Sequence, residues 1–395
     1  MHEIMHSTAR RFLGARRVSM PRVVILQEYM PTYRVAFFEA LHERALSEGI
    51  ELVVACGRPR EVQEMRGDAG TVSFVRHLRQ REWVILGRRM VIRRVVEAIA
   101  GADLVILEQA RRNLDAYRLL FRRRHRNHLV ALWGHGRDYI KPTSALDRFV
   151  RRWLTSRADW FFAYTKGGVE AVAAEGYPRA RTTLVQNSID TTTLRDSVAA
   201  VTRESIESFN DAHDLRGKTA LFVGALDESK RLPFLREAAE QSHELDHCFR
   251  LLIAGDGDMR RTVERWASKH SWLAYVGPVS GVEKAVALAS AQVLAMPGRV
   301  GLVAVDSFAA AVPLITTNWA WHAPEFEYLE DGHNSVVTAD DPSVYARRLI
   351  ELLNDQALLV ELGAACIDAN KVITAAAMAE NFLAGIRGAL ALRHP

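Results

Sequence analysis

Short β-branched runs alternate with helix-length segments twice along this chain, and that alternation limits the fold more than any other feature. Runs bounded by turns occur at 23–26, 52–55, 104–107, 129–132, 160–164 and 183–185. The pattern restarts at 219–223 and continues at 249–254, 272–276, 291–296, 313–316 and 335–337. Parallel neighbours need a crossover, and a helix between strands supplies one. The spacing therefore predicts an α/β chain of two Rossmann-like, doubly wound parallel-sheet domains, with ligands held outside the carboxyl ends of the strands. Residues 1–19 read as a flexible or non-native extension, 20–195 as the first domain and 196–373 as the second. Residues 374–395 read as a helix packing back toward the first domain.

At 395 residues the chain is long enough for two independent cores. Three cysteines, Cys56, Cys248 and Cys366, are widely spaced and form no C-x-x-C pair, which argues against a disulfide framework or zinc site and fits a reducing cytoplasm. No apolar run reaches the roughly 20 residues that span a bilayer. Charge is uneven: residues 1–195 hold 34 Lys and Arg against 20 Asp and Glu, net +14, and the remainder 18 against 27, net −9. That asymmetry points to an anionic partner for the first half. Arg118, Arg122 and Arg126 share one helical face inside the densest cluster. They read as a solvated face or as a peripheral contact with an anionic inner membrane surface. No RNP-like strand, zinc finger or helix-turn-helix pattern supports nucleic acid.

The segment from Met296 to Asp306 (MPGRVGLVAVD) follows an apolar run and opens a helix at Gly301 and Leu302. Unpaired amides and the positive end of a macrodipole there suit a phosphate, and Asp306, one turn deeper, suits ribose hydroxyls. Lys230 follows the strand-ending Gly224 by six residues and so reaches the same rim. His135, between Gly134 and Gly136 after an apolar strand, is placed uncrowded at the mouth of the first sheet, with Arg137 and Lys141 nearby.

Three ordered motifs of the second domain resemble retaining glycosyltransferases of the GT-B fold, family 4 type. Leu221 to Lys230 (LFVGALDESK) is similar to the family's "fvGRl…K", Leu252 to Gly257 (LIAGDG) to "l.i.G.G", and Tyr275 to Val279 (YVGPV) to "v.f.G.v". Met296 to Asp306 then corresponds to the E-x7-E segment, while Trp133 to Gly136 (WGHG) and Val185 to Asp190 (VQNSID) resemble first-domain motifs. The resemblance implies two domains facing across a cleft and sugar transfer from a nucleoside diphosphate donor to a saccharide or lipid-linked acceptor. It implies no cofactor and no required metal. It places Gly224, Lys230, Gly277, Val279, Gly301, Leu302 and Asp306 at the donor and His135 at the catalytic centre. Arg34 and Arg137 fall to the acceptor side, and His322 and Glu325 in the Trp319–Glu325 loop (WAWHAPE) to the sugar.

The departures are specific. Ala225 stands where the family has an arginine, Gly298 where it has the first glutamate, and the second acid is the shorter Asp306. Arg299, two residues before Gly301, is the candidate to replace the missing positive charge. A GT-B nucleotide-sugar epimerase and a non-catalytic nucleotide-sugar-binding protein are the alternative readings, the latter suggested by the two lost side chains.

Overall fold

The computed structural model describes residues 20–59, 69–85, 87–121, 127–139 and 144–393. The extension 1–19, Lys141 and the arginines at 122–124 and 126 lie outside them. The first sheet is built from β1 (Arg22–Gln27), β2 (Glu51–Cys56), β3 (Val75–His77), β6 (Leu104–Glu108), β7 (Leu129–Gly134), β8 (Trp160–Ala163) and β9 (Thr182–Leu184), in the order β3-β2-β1-β6-β7-β8-β9. The second is built from β10 (Lys218–Val223), β11 (Phe249–Ala254), β12 (Leu273–Tyr275), β13 (Val293–Ala295), β14 (Leu314–Thr317) and β15 (Ser335–Thr338), in the order β12-β11-β10-β13-β14-β15. Every pairing in both sheets is parallel, with Val23 beside Leu52 and Leu104, and Ala220 beside Leu251 and Val293. Strand order reverses at β1 and at β10, so each domain is doubly wound and offers its crevice at that point.

Buried strands read as continuous apolar runs because helices cover both sheet faces. Val23 to Leu26 and Leu104 to Leu107 are fully buried, as are Ala220 to Phe222 and Val293 to Met296. All twelve predicted strands occur, within two residues at each end. The edge strand β3 and the antiparallel hairpin of β4 (Gln80–Ile85) and β5 (Arg88–Arg93) were not predicted. Arg81 to Ile85 are exposed throughout, so they carry no inward-facing alternation to find.

The helices Thr191–Ala199 and Arg203–Ala212 occupy the stretch between the two sheets and pack on the second domain's helices Gly281–Ala289 and Val303–Ala310. The last helix, Ala375–Ala391, lies against the first sheet. Its Phe382 stacks on Phe162 at 4.3 Å and meets Trp133 and Phe37 at 4.9 and 5.4 Å. A Cβ at Gly385 would stand 2.4 Å from the Phe162 ring, so glycine is what lets this helix approach the strand. The chain thus passes between domains twice, and Ser188 Oγ donates to the Ile373 carbonyl at 3.1 Å where the passages meet.

Candidate functional site

On the second domain, three loops converge beyond the ends of β10, β11 and β13. Asp227 accepts from the Ser229 amide and hydroxyl at 3.0 and 2.6 Å and shapes the turn Glu228–Lys230. Lys230 extends past Gly224, and its Nζ donates to the Arg299 carbonyl at 2.6 Å. Burial pushes this ammonium down to about 8, with Arg299 adding to the effect and Asp227 and Glu325 opposing it. The Arg299 amide donates to the Ser229 carbonyl at 2.9 Å and closes the turn onto the 297–302 loop. This closure explains Gly298: a Cβ there would lie 2.4 Å from the Lys230 carbonyl carbon and 2.7 Å from the Ser229 oxygen. The backbone occupies the space a glutamate side chain would need.

The helix Val303–Ala310 starts from this loop without a side-chain cap. The Gly301 and Leu302 amides meet no protein acceptor among the described residues. Unengaged amides at a helix start beside an ammonium are the elements that an anion site needs. Asp306 is buried one turn deeper and accepts from Lys284 Nζ at 2.7 Å. Lys284, unmarked by any motif, therefore holds the carboxylate assigned to ribose. Gly277 turns with φ 76° and accepts from the Gly255 amide at 2.8 Å, while Val279 packs against the second core.

On the first domain, His135 follows β7 and faces open space, with Tyr164 at 4.5 Å and Tyr139 at 5.8 Å between ring centroids. The protein surrounding the accessible ring, joined by the charges of Arg34 and Arg299, holds its imidazole well below the ordinary 6.5. The ring is neutral at ordinary pH. Gly136 is fixed behind it by the Gln109 side chain, which accepts from its amide at 3.0 Å.

Several contacts cross the cleft. Arg299 Nη1 donates across it to the Tyr139 carbonyl at 2.7 Å and, within its own domain, to the Trp321 carbonyl at 3.2 Å. Asn187 Nδ2 donates to Glu325 Oε1 at 2.6 Å. Glu327 accepts from the Gly167 amide at 2.7 Å, the Tyr139 hydroxyl at 3.0 Å and Arg137 at 3.3 Å. Tyr328 Oη donates to the Asn187 carbonyl at 3.1 Å.

The structure brings His135, Lys230, Arg299 and Glu325 into one electrostatic neighbourhood: the charge of Arg299 is felt by the other three. It turns three expected residues to other uses. Arg34 is 5% exposed, stacked over Trp133 at 4.1 Å and bonded to Gln27 and the Tyr164 hydroxyl, so it lies beneath the site and does not face an acceptor. His322 is buried, with Nδ1 accepting from the Val300 amide at 3.1 Å and Nε2 at 2.9 Å from the Thr317 carbonyl, which leaves no ring nitrogen for a sugar. Arg137 is spent on Glu327. Asn187 and Glu327 carry no local signal of their cross-cleft partners, which lie 138 and 160 residues away.

Two doubly wound parallel sheets facing across a cleft define the GT-B fold. Solved structures agree. Anabaena HepE in complex with UDP superposes with a TM-score of 0.69 at 13% identity, covering 93% of this chain and 100% of that one. A glycosyltransferase from Rickettsia africae superposes at 0.68 and 12% identity, covering 95% and 99%. Residues 217–355 match the family model of the glycosyl transferases group 1. The second domain of this chain is a group 1 glycosyltransferase domain. A phosphatidyl-myo-inositol mannosyltransferase of Mycobacterium leprae is 28% identical over 173 residues, 41% of this chain. The chain spans about half the length of that curated relative, 46%.

Proposed function

We propose that this protein is a retaining glycosyltransferase that moves a sugar from a nucleoside diphosphate donor to a saccharide or lipid-linked acceptor. The observation that carries the reading is the rim where Lys230 Nζ, buried beside the Arg299 carbonyl, adjoins the unengaged amides of Gly301 and Leu302. A departing diphosphate develops charge there, and fixed dipoles with an ammonium stabilise it without reorganisation, which is the work a metal ion does elsewhere. The domain match at 217–355 and the UDP named for the HepE complex support a nucleotide at this rim.

His135 stands opposite with a neutral ring, suited to donating its N–H or orienting an attacking hydroxyl. Glu325 supplies the carboxylate for the sugar hydroxyls that Gly298 lacks. Its Oε2 lies 3.8 Å from where a Gly301 Cβ would stand, and Asn187 holds its other oxygen. Burial pushes this carboxyl up, against the Asn187 hydrogen bond and Arg299.

No helix among the described residues is long and apolar enough to cross a membrane. The net +14 of residues 1–195 supports a cytoplasmic protein that meets an anionic inner leaflet peripherally. The test of the donor reading is a thermal-shift screen across UDP-, GDP- and ADP-sugars, followed by transfer assays with the best donor and membrane extracts. A stabilising donor and a product of retained anomeric configuration are expected. Epimer formation without acceptor, or binding without any turnover, decides for the alternative readings.

A further inference from the structure

A cavity of about 1800 Å3 lies on the first domain between the hairpin β4–β5, the segment 94–102 and the helix Leu114–Phe121, and none of the cleft residues lines it. Its inner surface is apolar, with Leu78 and Val95 buried and Ile99 and Leu119 beside them. Charge around it is not balanced. Each acid on its wall is already engaged: Asp115 by Arg93 at 2.6 Å, Glu82 by Arg89 at 2.7 Å and Glu97 by Arg76 at 3.9 Å. Arg58, Arg79, Arg81, Arg94 and Arg118 are exposed on the same wall and have no carboxylate partner among the described residues. Arg93, its side chain 0% exposed, keeps Nη1 buried without any partner.

A second observation concerns the lip. Trp83, Val84 and Ile85 on β4 are 44, 75 and 55% exposed, and Val96 on the opposite lip is 72% exposed. Contiguous apolar side chains in water mark a contact surface, and a tryptophan among arginines suits a lipid interface. One aromatic residue offers no stacking ladder for nucleic acid bases.

We propose that the cavity and hairpin bind an anionic phospholipid of a membrane leaflet, its phosphate among the unpaired arginines and its chain along Leu78, Val95 and Leu119. The proposal rests on the peripheral membrane contact proposed above and names the face that makes it. It places that face on the hairpin, apart from the cleft that takes the nucleotide-sugar.

The test is co-sedimentation of the full chain with vesicles of phosphatidylcholine alone or with about one third phosphatidic acid. Three proteins are compared: wild type, Arg79→Glu/Arg94→Glu, and a control of equal charge change on the second domain, Arg261→Glu/Arg347→Glu. Nucleotide-sugar thermal shifts show that each is folded. Wild type should bind only the anionic vesicles, the cavity variant should lose about tenfold or more in bound fraction, and the control should stay within about twofold. Trp83→Ser should weaken binding as well. Equal loss in both charge variants overturns the cavity and leaves the membrane reading standing. No wild-type binding overturns both, while the nucleotide shifts judge the donor site separately. Displacement by millimolar inorganic phosphate or by a single-stranded oligonucleotide, with vesicles no better, reassigns the arginines to that ligand and overturns the lipid.

Discussion

Asn187 Nδ2 lies 2.6 Å from Glu325 Oε1, and this bond joins the two domains beside the donor rim through two buried side chains. It fixes the carboxylate proposed to meet the sugar. Glu325→Gln should leave UDP affinity within about threefold and lower kcat by about a hundredfold, the scale seen when one fixed electrostatic partner is removed. Asn187→Ala should fall in the same direction by less, and the double variant should be no worse than Glu325→Gln, because the pair acts as one unit. Separate Kd and single-turnover measurements decide it.

Lys230 should dominate nucleotide affinity. A charge-assisted hydrogen bond contributes about 1.5–3 kcal/mol, so Lys230→Met should weaken UDP binding by about ten- to a hundredfold. Burial holds the ammonium at about 8. A bound diphosphate raises it, so binding takes up a proton and affinity declines as pH rises through 8. Calorimetry in buffers of different ionisation enthalpy reads that proton directly.

The buried imidazole of His322 sets an acid limb on stability. It is held at about 4, against an ordinary 6.5. Between those values the unfolded chain binds protons that the folded chain refuses, so stability is full above pH 6.5 and declines as pH falls toward 4. His322→Gln should flatten part of that slope in Tm measured from pH 4 to 7. Activity should show no limb from His135 between pH 5 and 8, yet His135→Ala should reduce kcat/KM.

Gly298→Glu should not recover the family's acid. The Lys230 and Ser229 backbone fills the path of any Cβ, and forcing one in costs about 1–3 kcal/mol. A lower Tm with weaker UDP binding is expected; a more active variant would show that the turn yields.

Phe382→Ala should destabilise the first domain by about 3–5 kcal/mol, since it empties a site walled by Phe162, Trp133 and Phe37. Chemical denaturation of the variant should show the first domain unfolding ahead of the second.

Both sheets were legible because parallel strands buried on two faces leave unbroken apolar runs such as Val293 to Met296. Lys230 and the helix tip at Gly301 were legible because a turn residue and a strand end fix each other's position locally. Glu325 stood out only as part of a loop. Its link to Asn187 is a contact between distant residues that no periodicity encodes. Gly298 could be read as a lost side chain, but its cause is the backbone of a turn 68 and 69 residues earlier. Arg34 and His322 were misplaced because a polar side chain near a cleft can be aimed inward to brace the framework, and composition does not reveal the aim.

The Ser188–Ile373 bond sets the two linker passages side by side, as the knuckles of one door hinge stand on one pin. Swinging about that pin is then the easiest relative movement of the halves, and sliding or twisting meets resistance from both linkers at once. Paired spin labels on the far lips should therefore report a single spacing that lengthens and shortens, while labels beside Ser188 stay at a fixed separation.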